Sequence, residues 1–342
     1  MCTKEQQVKE ALFYARLKDG KVRCLLCPHT CVIQSGKRGI CRVRENQGGT
    51  LISLVYGKVV SCNVDPIEKK PLFHFQPGSV SLSIATVGCN LQCLHCQNYE
   101  ISQVPADKNE VTGTQVSPDR LVTLAVEKGC TSISYTYTEP TVYFEFALET
   151  ARRAAAHGIR NVFVTNGYIN AEPLELVAPY LHAANVDLKS FTDEFYRKVC
   201  KARLAPILDT LRRMKDLGIW VEITTLLIPG LNDSEHELRE LARFIRSLGS
   251  EVPWHVSAFY PTYRMTDRPR TPVKTLQRAR SWGLEEGLQF VYTGNIPGEE
   301  GENTFCPGCG FQVITRVGFS THGTGLEDTR CSKCKRELPL IL

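Results

Sequence analysis

Three cysteines, Cys89, Cys93 and Cys96, stand in the run GCNLQCLHCQNYE (88–100) with the spacing C-x3-C-x2-C. Thiolates this closely spaced are metal ligands, and zinc and iron–sulfur sites usually take four protein ligands. Three thiolates cannot complete a [4Fe–4S] cube, because one iron is left without a protein ligand. Closed metal sites are structural, whereas sites with an open position do chemistry. A vacant iron in a loop calls for a ligand with hard nitrogen and oxygen donors. The competing reading is a zinc ion held by the three cysteines and His95.

Two further cysteine sets flank this one. Cys306-x2-Cys309 and Cys331-x2-Cys334 form two knuckles, the first in the sequence CPGCG. Glycines there let backbone N–H groups turn toward sulfur, as in a zinc ribbon, so structural zinc is expected. Cys24-x2-Cys27-x3-Cys31-x9-Cys41 is less typical. Four cysteines satisfy either zinc or an auxiliary [4Fe–4S] cluster, and His29 could exchange for one of them. A structural metal is expected at this site, with zinc ahead of iron. Cys2, Cys62, Cys130 and Cys200 stand apart and read as small buried hydrophobes.

The chain has 342 residues, of which 15 are cysteine, 42% hydrophobic and 23% charged. That is ample for a buried core and for two or three domains. No apolar run approaches the roughly 18 residues that span a bilayer, and the start, MCTKEQQVKE, lacks the apolar stretch of a secretory signal. The expectation is a cytoplasmic protein, in which so many cysteines serve as metal thiolates rather than disulfides. The net charge of +5 is concentrated in residues 1–75, which carry +7, leaving −2 elsewhere. Basic side chains beside thiolates account for this better than nucleic acid does, since no basic stripe is interleaved with aromatics.

A repeating pattern positions the triplet. Short β-branched runs at 80–87, 132–138, 161–167, 184–190, 220–228, 254–260 and 289–295 alternate with helix-like segments. One helix is predicted over 117–129, with a Ser-Pro start. A second is predicted over 142–158, and a third over 234–249, opened by the capping box Ser234…Glu237. Strands alternating with helices argue for an α/β fold with a parallel sheet, curled into a partial or full (β/α) barrel. The expected organisation is a Cys-rich metal-binding segment over 1–75, the barrel over 76–297 and a zinc-ribbon-like module over 298–342. Polar residues cluster after each strand: the cysteine loop, Thr138-Glu139-Pro140, Thr165-Asn166-Gly167, Asp187-Leu188-Lys189, Pro229-Gly230-Leu231-Asn232, Phe259-Tyr260-Pro261 and Gly294-Asn295. Carboxyl ends of strands are where such folds build their sites.

The amino and carboxylate groups of S-adenosylmethionine (SAM) suit the vacant iron. The C-x3-C-x2-C loop after a first strand, heading βα units over about residues 80–295, resembles the radical SAM superfamily. EKKPLFHFQPG (68–78), TNG (165–167), DLKSF (187–191) and IPGLND (228–233) look like pyruvate formate-lyase activating enzymes and their relatives. A finer likeness, to the radical SAM component of the AmmeMemoRadiSam system, spans nearly the whole chain. It rests on CLLCPHTCVIQSGKRGICRVREN (24–46), SYTYTEPT (134–141), PWHVSAFYPTYRMTD (253–267), VYTGN (291–295) and the terminal CPGCGF and CSKCK.

The resemblance implies a [4Fe–4S] cluster on Cys89, Cys93 and Cys96 that cleaves SAM reductively to a 5′-deoxyadenosyl radical. It implies hydrogen abstraction from a polypeptide or small molecule, and an electron donor such as flavodoxin or ferredoxin. A glycyl-radical protein, or the other components of the AmmeMemoRadiSam system, are candidate partners. Glu139 stands where the superfamily's acidic residue contacts the SAM amino group, although Tyr137 and Thr138 replace two glycines before it. Thr165 and Asn166 match a ribose contact. Asp187 and Lys189 match a pair near SAM, the lysine on its carboxylate, with a salt bridge at the barrel mouth as the alternative. His255 is taken as a further cofactor contact, against the commoner role of an inward barrel histidine as a hydrogen-bonded core residue. Tyr260 lies at the end of the same strand. Gly294 and Asn295 match the adenine side, and Cys62 or Tyr263 could serve as a second hydrogen-atom donor. A non-catalytic metal-binding adaptor is the remaining alternative.

Overall fold

A computed structural model describes residues 9–296, 298, 300–323 and 325–342. Cys2, the start of the basic N-terminal segment, and Pro297 and Glu299 of the expected linker lie outside them. The seven β-branched runs form seven strands of one eight-stranded sheet. In chain order the sheet contains β1 (Ser61–Pro66), β2 (Val80–Ala85), β3 (Ser132–Tyr135), β4 (Arg160–Thr165), β5 (Ala183–Asp187), β6 (Trp220–Leu227), β7 (Trp254–Ala258) and β8 (Val291–Gly294). Strands β2 to β8 are parallel and pair in sequential order. β1 adds an antiparallel edge, from Ser61 opposite Ala85 to Pro66 opposite Val80. Among the described residues β1 and β8 do not pair, so the barrel is partial.

A crossover helix lies between each pair of parallel strands, with shorter helical turns beside it after β2 and β5: α1 (Pro118–Glu127), α2 (Phe144–Ala156), α3 (Ala171–Val177), α4 (Ala205–Asp216), α5 (Glu235–Leu248) and α6 (Val273–Glu285). Ser117 caps α1 by accepting from the Arg120 N–H at 3.2 Å. Ser234 caps α5 by accepting from the Glu237 N–H at 3.3 Å. Only this half of the predicted capping box forms. The Glu237 carboxylate instead accepts from the Ser190 hydroxyl at 2.5 Å and the Phe191 N–H at 2.8 Å, tying the loop after β5 to α5. Gly283 lets α6 approach the sheet, since a Cβ there would meet Trp254 and Val291 at 2.9 Å.

Strands covered on both faces read as continuous apolar or small-residue runs. Residues 2 to 6 of β2 and all of β3 are buried accordingly. The core continues without a break into the N-terminal segment, where Val22, Leu26 and Val43 join the barrel residues. Phe13 packs edge-on against Phe144 of α2 at 5.6 Å.

The C-terminal module docks at the other end, beneath the strands' amino ends. Buried Arg316 donates to the Phe73 carbonyl at 2.8 Å, and the Ile341 N–H donates to the His74 carbonyl at 2.8 Å. His255 belongs to this end, which corrects its expected role as a cofactor contact. Its Nε2 donates to the Glu222 carboxylate at 2.7 Å, and its ring stacks on Tyr292 at 5.2 Å. Glu222 also accepts from the Phe73 and His74 N–H groups at 2.9 and 2.8 Å. Burial works against this carboxylate, but His255 and those donors outweigh it and lower its pKa. The histidine is spent on holding the floor of the barrel, because it occupies the second position of β7, remote from the carboxyl end.

His74 couples this floor to acid. Its Nδ1 lies 2.9 Å from the Pro339 carbonyl and its Nε2 2.6 Å from the Tyr292 hydroxyl. Burial pushes its pKa down from 6.5 to about 4. The unfolded chain therefore binds the proton that the folded chain refuses, and stability falls as pH drops from 6.5 toward 4. The shift corresponds to about 3 kcal/mol. Urea midpoints should fall over that window and flatten in His74→Gln; an unchanged slope in the variant would discount the role of His74.

Candidate active site

A cleft of about 400 Å³ opens at the carboxyl ends of β2 to β7. It gathers Cys89, Cys93 and Cys96 with Glu139, Thr165, Asn166, Asp187 and Lys189, eight residues drawn from four separate segments after successive strands. His255 does not line it, and neither do Tyr260, Tyr263, Gly294, Asn295 or Cys62. Tyr260 donates to the Asn295 carbonyl at 3.2 Å, and Asn295 donates to the Ala258 carbonyl at 2.7 Å. Tyr263 stacks on Tyr99 and donates to Asp107 at 2.9 Å, while Cys62 is exposed on β1.

Glu139 is almost fully buried, and its carboxylate is held by four donors. Oε1 accepts from the Thr141 N–H at 3.0 Å, the Thr141 hydroxyl at 2.7 Å and the Thr165 hydroxyl at 2.8 Å. Oε2 accepts from the Asn166 N–H at 2.8 Å. Burial raises its pKa, and the four donors offset part of that rise. A carboxylate has about four acceptor sites. Oε2 carries one bond and keeps capacity for a cation. The Thr165 hydroxyl also accepts from the Gly167 N–H at 3.1 Å, so Thr165 positions Glu139.

Asn166 is engaged in the same way. Its Nδ2 donates to Asn90 Oδ1 at 2.9 Å and lies 3.6 Å from Cys89 Sγ, while its Oδ1 accepts from the Tyr168 N–H at 2.9 Å. It braces the cysteine loop. Asp187 and Lys189 form an ion pair at 2.7 Å. Burial opposes the Lys189 charge, but the Asp187 carboxylate beside it outweighs burial and raises its pKa. Tyr137, in place of a superfamily glycine, takes the left-handed conformation with φ 62°. Its hydroxyl donates to Asp65, and its ring lies 4.6 Å from the Lys70 ammonium.

The sequence did not point to the residues that back the triplet. Cys200, read as an isolated hydrophobe, accepts at its carbonyl from the Gln92 N–H at 3.0 Å; the Val199 carbonyl accepts from the Leu94 N–H at 3.1 Å. These bonds bracket Cys93. Ser102 Oγ lies 3.1 Å from Cys96 Sγ. Such contacts join segments far apart in sequence and leave no local pattern. Lys69 and Pro71, which also line the cleft, did carry a signal in the EKKPLFHFQPG motif.

The three cysteine sets differ in geometry. Cys306 and Cys334 have sulfurs 3.5 Å apart, and those of Cys309 and Cys331 are 3.7 Å apart. Zn–S bonds of about 2.3 Å in a tetrahedron put sulfurs about 3.8 Å apart. This quartet therefore fits a zinc ion. Among the described residues it is the one set of three or more ligand-type side chains whose donor atoms all lie within 4.8 Å. Cys89, Cys93 and Cys96 stand wider and face the cleft. A cube carries its ligand sulfurs outward from separate irons, so a triplet that is not drawn together as the quartet is can accommodate a [4Fe–4S] cluster.

The model of the Radical SAM superfamily matches residues 83–245. An uncharacterized protein of Methanocaldococcus jannaschii is 48% identical, over 98% of this chain and 100% of its own. The pyruvate formate-lyase-activating enzyme of Staphylococcus epidermidis is 22% identical, over 51% of this chain and 72% of its own. The crystal structure of Streptococcus suis SuiB bound to S-adenosylmethionine shares the fold, with a TM-score of 0.51 and 16% identity over 67% of this chain and 53% of that one.

Proposed function

This chain belongs to the radical SAM superfamily and is an enzyme, and on that premise we propose that the cleft binds a [4Fe–4S] cluster and SAM and abstracts hydrogen from a substrate. Bound there, the two cofactors would supply one-electron reductive cleavage of SAM and, from it, hydrogen abstraction. The observation that carries the proposal is the convergence of three thiols with Glu139 and Lys189 in one cleft.

In this reading Cys89, Cys93 and Cys96 would hold the cluster and SAM would bind beside it. Glu139 Oε2 receives the SAM ammonium, a charge-assisted bond in a buried setting. Lys189, steadied by Asp187, takes the carboxylate. Asn166 and Cys200 hold the cysteine loop to its backing. The walls of β3 to β6 exclude water from the radical. The C-terminal quartet holds a structural zinc that ties the module beneath the barrel.

Similarity to an activating enzyme favours a polypeptide substrate, a glycyl-radical protein among the candidates. The motifs shared with the AmmeMemoRadiSam component favour a substrate supplied within that system. Genes for its other components beside this one would support the second; a neighbouring glycyl-radical enzyme would support the first. A cytoplasmic place fits fourteen free cysteines among the described residues, and a low-potential carrier would supply electrons. No helix among the described residues is long and apolar enough to cross a membrane.

The test is anaerobic reconstitution, followed by SAM and dithionite. Formation of 5′-deoxyadenosine, or a SAM-dependent change in the cluster's EPR signal where cleavage awaits the substrate, is the expected result. A reduced cluster whose signal ignores SAM, with no product, would overturn the proposal.

A further inference from the structure

Cys24, Cys27, Cys31 and Cys41 gather around one small cavity, together with Arg44, His29 and Asn90. The cavity measures about 20 Å³, more than the roughly 10–15 Å³ that one water requires. No three of the four sulfurs lie within 4.8 Å of one another. The C-terminal quartet is an internal standard for zinc, with sulfur pairs at 3.5 and 3.7 Å around a point. The N-terminal four line one cavity without closing to that separation.

Their surroundings suit an anionic guest. Arg44 Nη1 lies 3.9 Å from Cys24 Sγ. Arg44 is fully buried, and its Nε has no hydrogen-bond partner. Burying a guanidinium is costly without compensating charge. Glu145 pairs with it and balances its charge, which leaves the unpartnered Nε as a donor for an anionic group beside the four cysteines. His29 Nε2 is bonded to the Asn90 carbonyl at 2.8 Å and its ring packs on Tyr168 at 5.0 Å.

We infer that Cys24, Cys27, Cys31 and Cys41 hold a second [4Fe–4S] cluster. All four irons carry protein thiolates, so this cube has no vacant corner for a small-molecule ligand. One-electron storage or transfer is the chemistry left to it. The position supports that use. Asn90 lines this cavity, precedes Leu91 in the triplet loop and follows Cys89 directly. The inference stands independently of how the cleft is read.

The test is metal analysis of the full chain after anaerobic iron–sulfide reconstitution. Wild type should hold about eight irons and about one zinc, the latter at the C-terminal quartet. The triple variant Cys89→Ala/Cys93→Ala/Cys96→Ala should keep about four irons, with a reduced-state EPR signal that SAM leaves unchanged. Cys27→Ala/Cys41→Ala should lose about four irons and keep the SAM-sensitive signal. Two zincs per chain, or iron content untouched by Cys27→Ala/Cys41→Ala, overturns the inference. Should the triple variant misfold, the Cys27/Cys41 variant decides alone. If the cleft holds no cluster, wild type shows about four irons that vanish in that variant, which retains this inference and removes the other.

Discussion

In Cys93→Ala, 5′-deoxyadenosine formation is expected to fall to the uncatalysed background, with about four irons lost per chain. Cys93 is the buried member of the triplet, 7% exposed, and its loop is bracketed by the Gln92 and Leu94 bonds to the segment bearing Cys200. Those backbone bonds do not involve the side chain, so the loop should keep its shape when the sulfur is removed. A cube held at two corners is released or degraded, and no partial activity should remain. Asn166→Ala is the graded comparison. It removes the donor near Cys89 and the brace on Asn90, and loss of such an outer partner costs roughly 10–100-fold in metal affinity or activity. Iron content, circular dichroism and chromatographic assay of 5′-deoxyadenosine separate these outcomes. Full SAM cleavage in folded Cys93→Ala would remove the triplet from the mechanism.

The second large effect is at Glu139. Glu139→Gln should weaken SAM binding by about 10–100-fold while leaving the iron content unchanged. A hydrogen bond to a charged partner contributes about 1.5–3 kcal/mol, and 1.4 kcal/mol is a factor of ten. The substitution also turns one acceptor oxygen into an NH2 group, which would face the Asn166 N–H or the three donors on Oε1. A buried unsatisfied donor costs about 1–3 kcal/mol, so a lowered melting temperature should accompany the weaker binding. The pH dependence has a definite sign. Only the carboxylate attracts an ammonium group, and burial raises the Glu139 pKa. SAM affinity should therefore decline as pH falls through that raised value, from a higher pH than an exposed glutamate would show. Titration calorimetry with SAM on reconstituted protein checks both. Unchanged affinity with intact iron would place the SAM ammonium elsewhere.

Much of this chain was legible from local pattern. The seven β-branched runs became β2 to β8, because strand and helix periods are properties of consecutive residues. Each strand ends one to three residues before its run does, where Thr136 to Glu139, for example, turn into the cleft. The C-x3-C-x2-C triplet and the two C-x2-C knuckles were readable for a similar reason: ligands close in sequence are constrained to be close in space. Glu139, Asp187 and Lys189 were placed by motif, and the parallel topology carried them to one end of the sheet.

Three matters needed the packed structure. Position along β7 sent His255 to Glu222 at the floor, since a histidine's role depends on which end of the strand bears it and on what neighbouring strands present there. Thr165 and Asn166 could be located from the sequence, but their hydrogen bonds commit them to Glu139 and to the cysteine loop. The kind of metal site suggested at Cys24, Cys27, Cys31 and Cys41 depends on sulfur separation. Sequence spacing limits how far apart two ligands can be; packing of the surrounding segments fixes how far apart they are, and that distance distinguishes one ion from a cube.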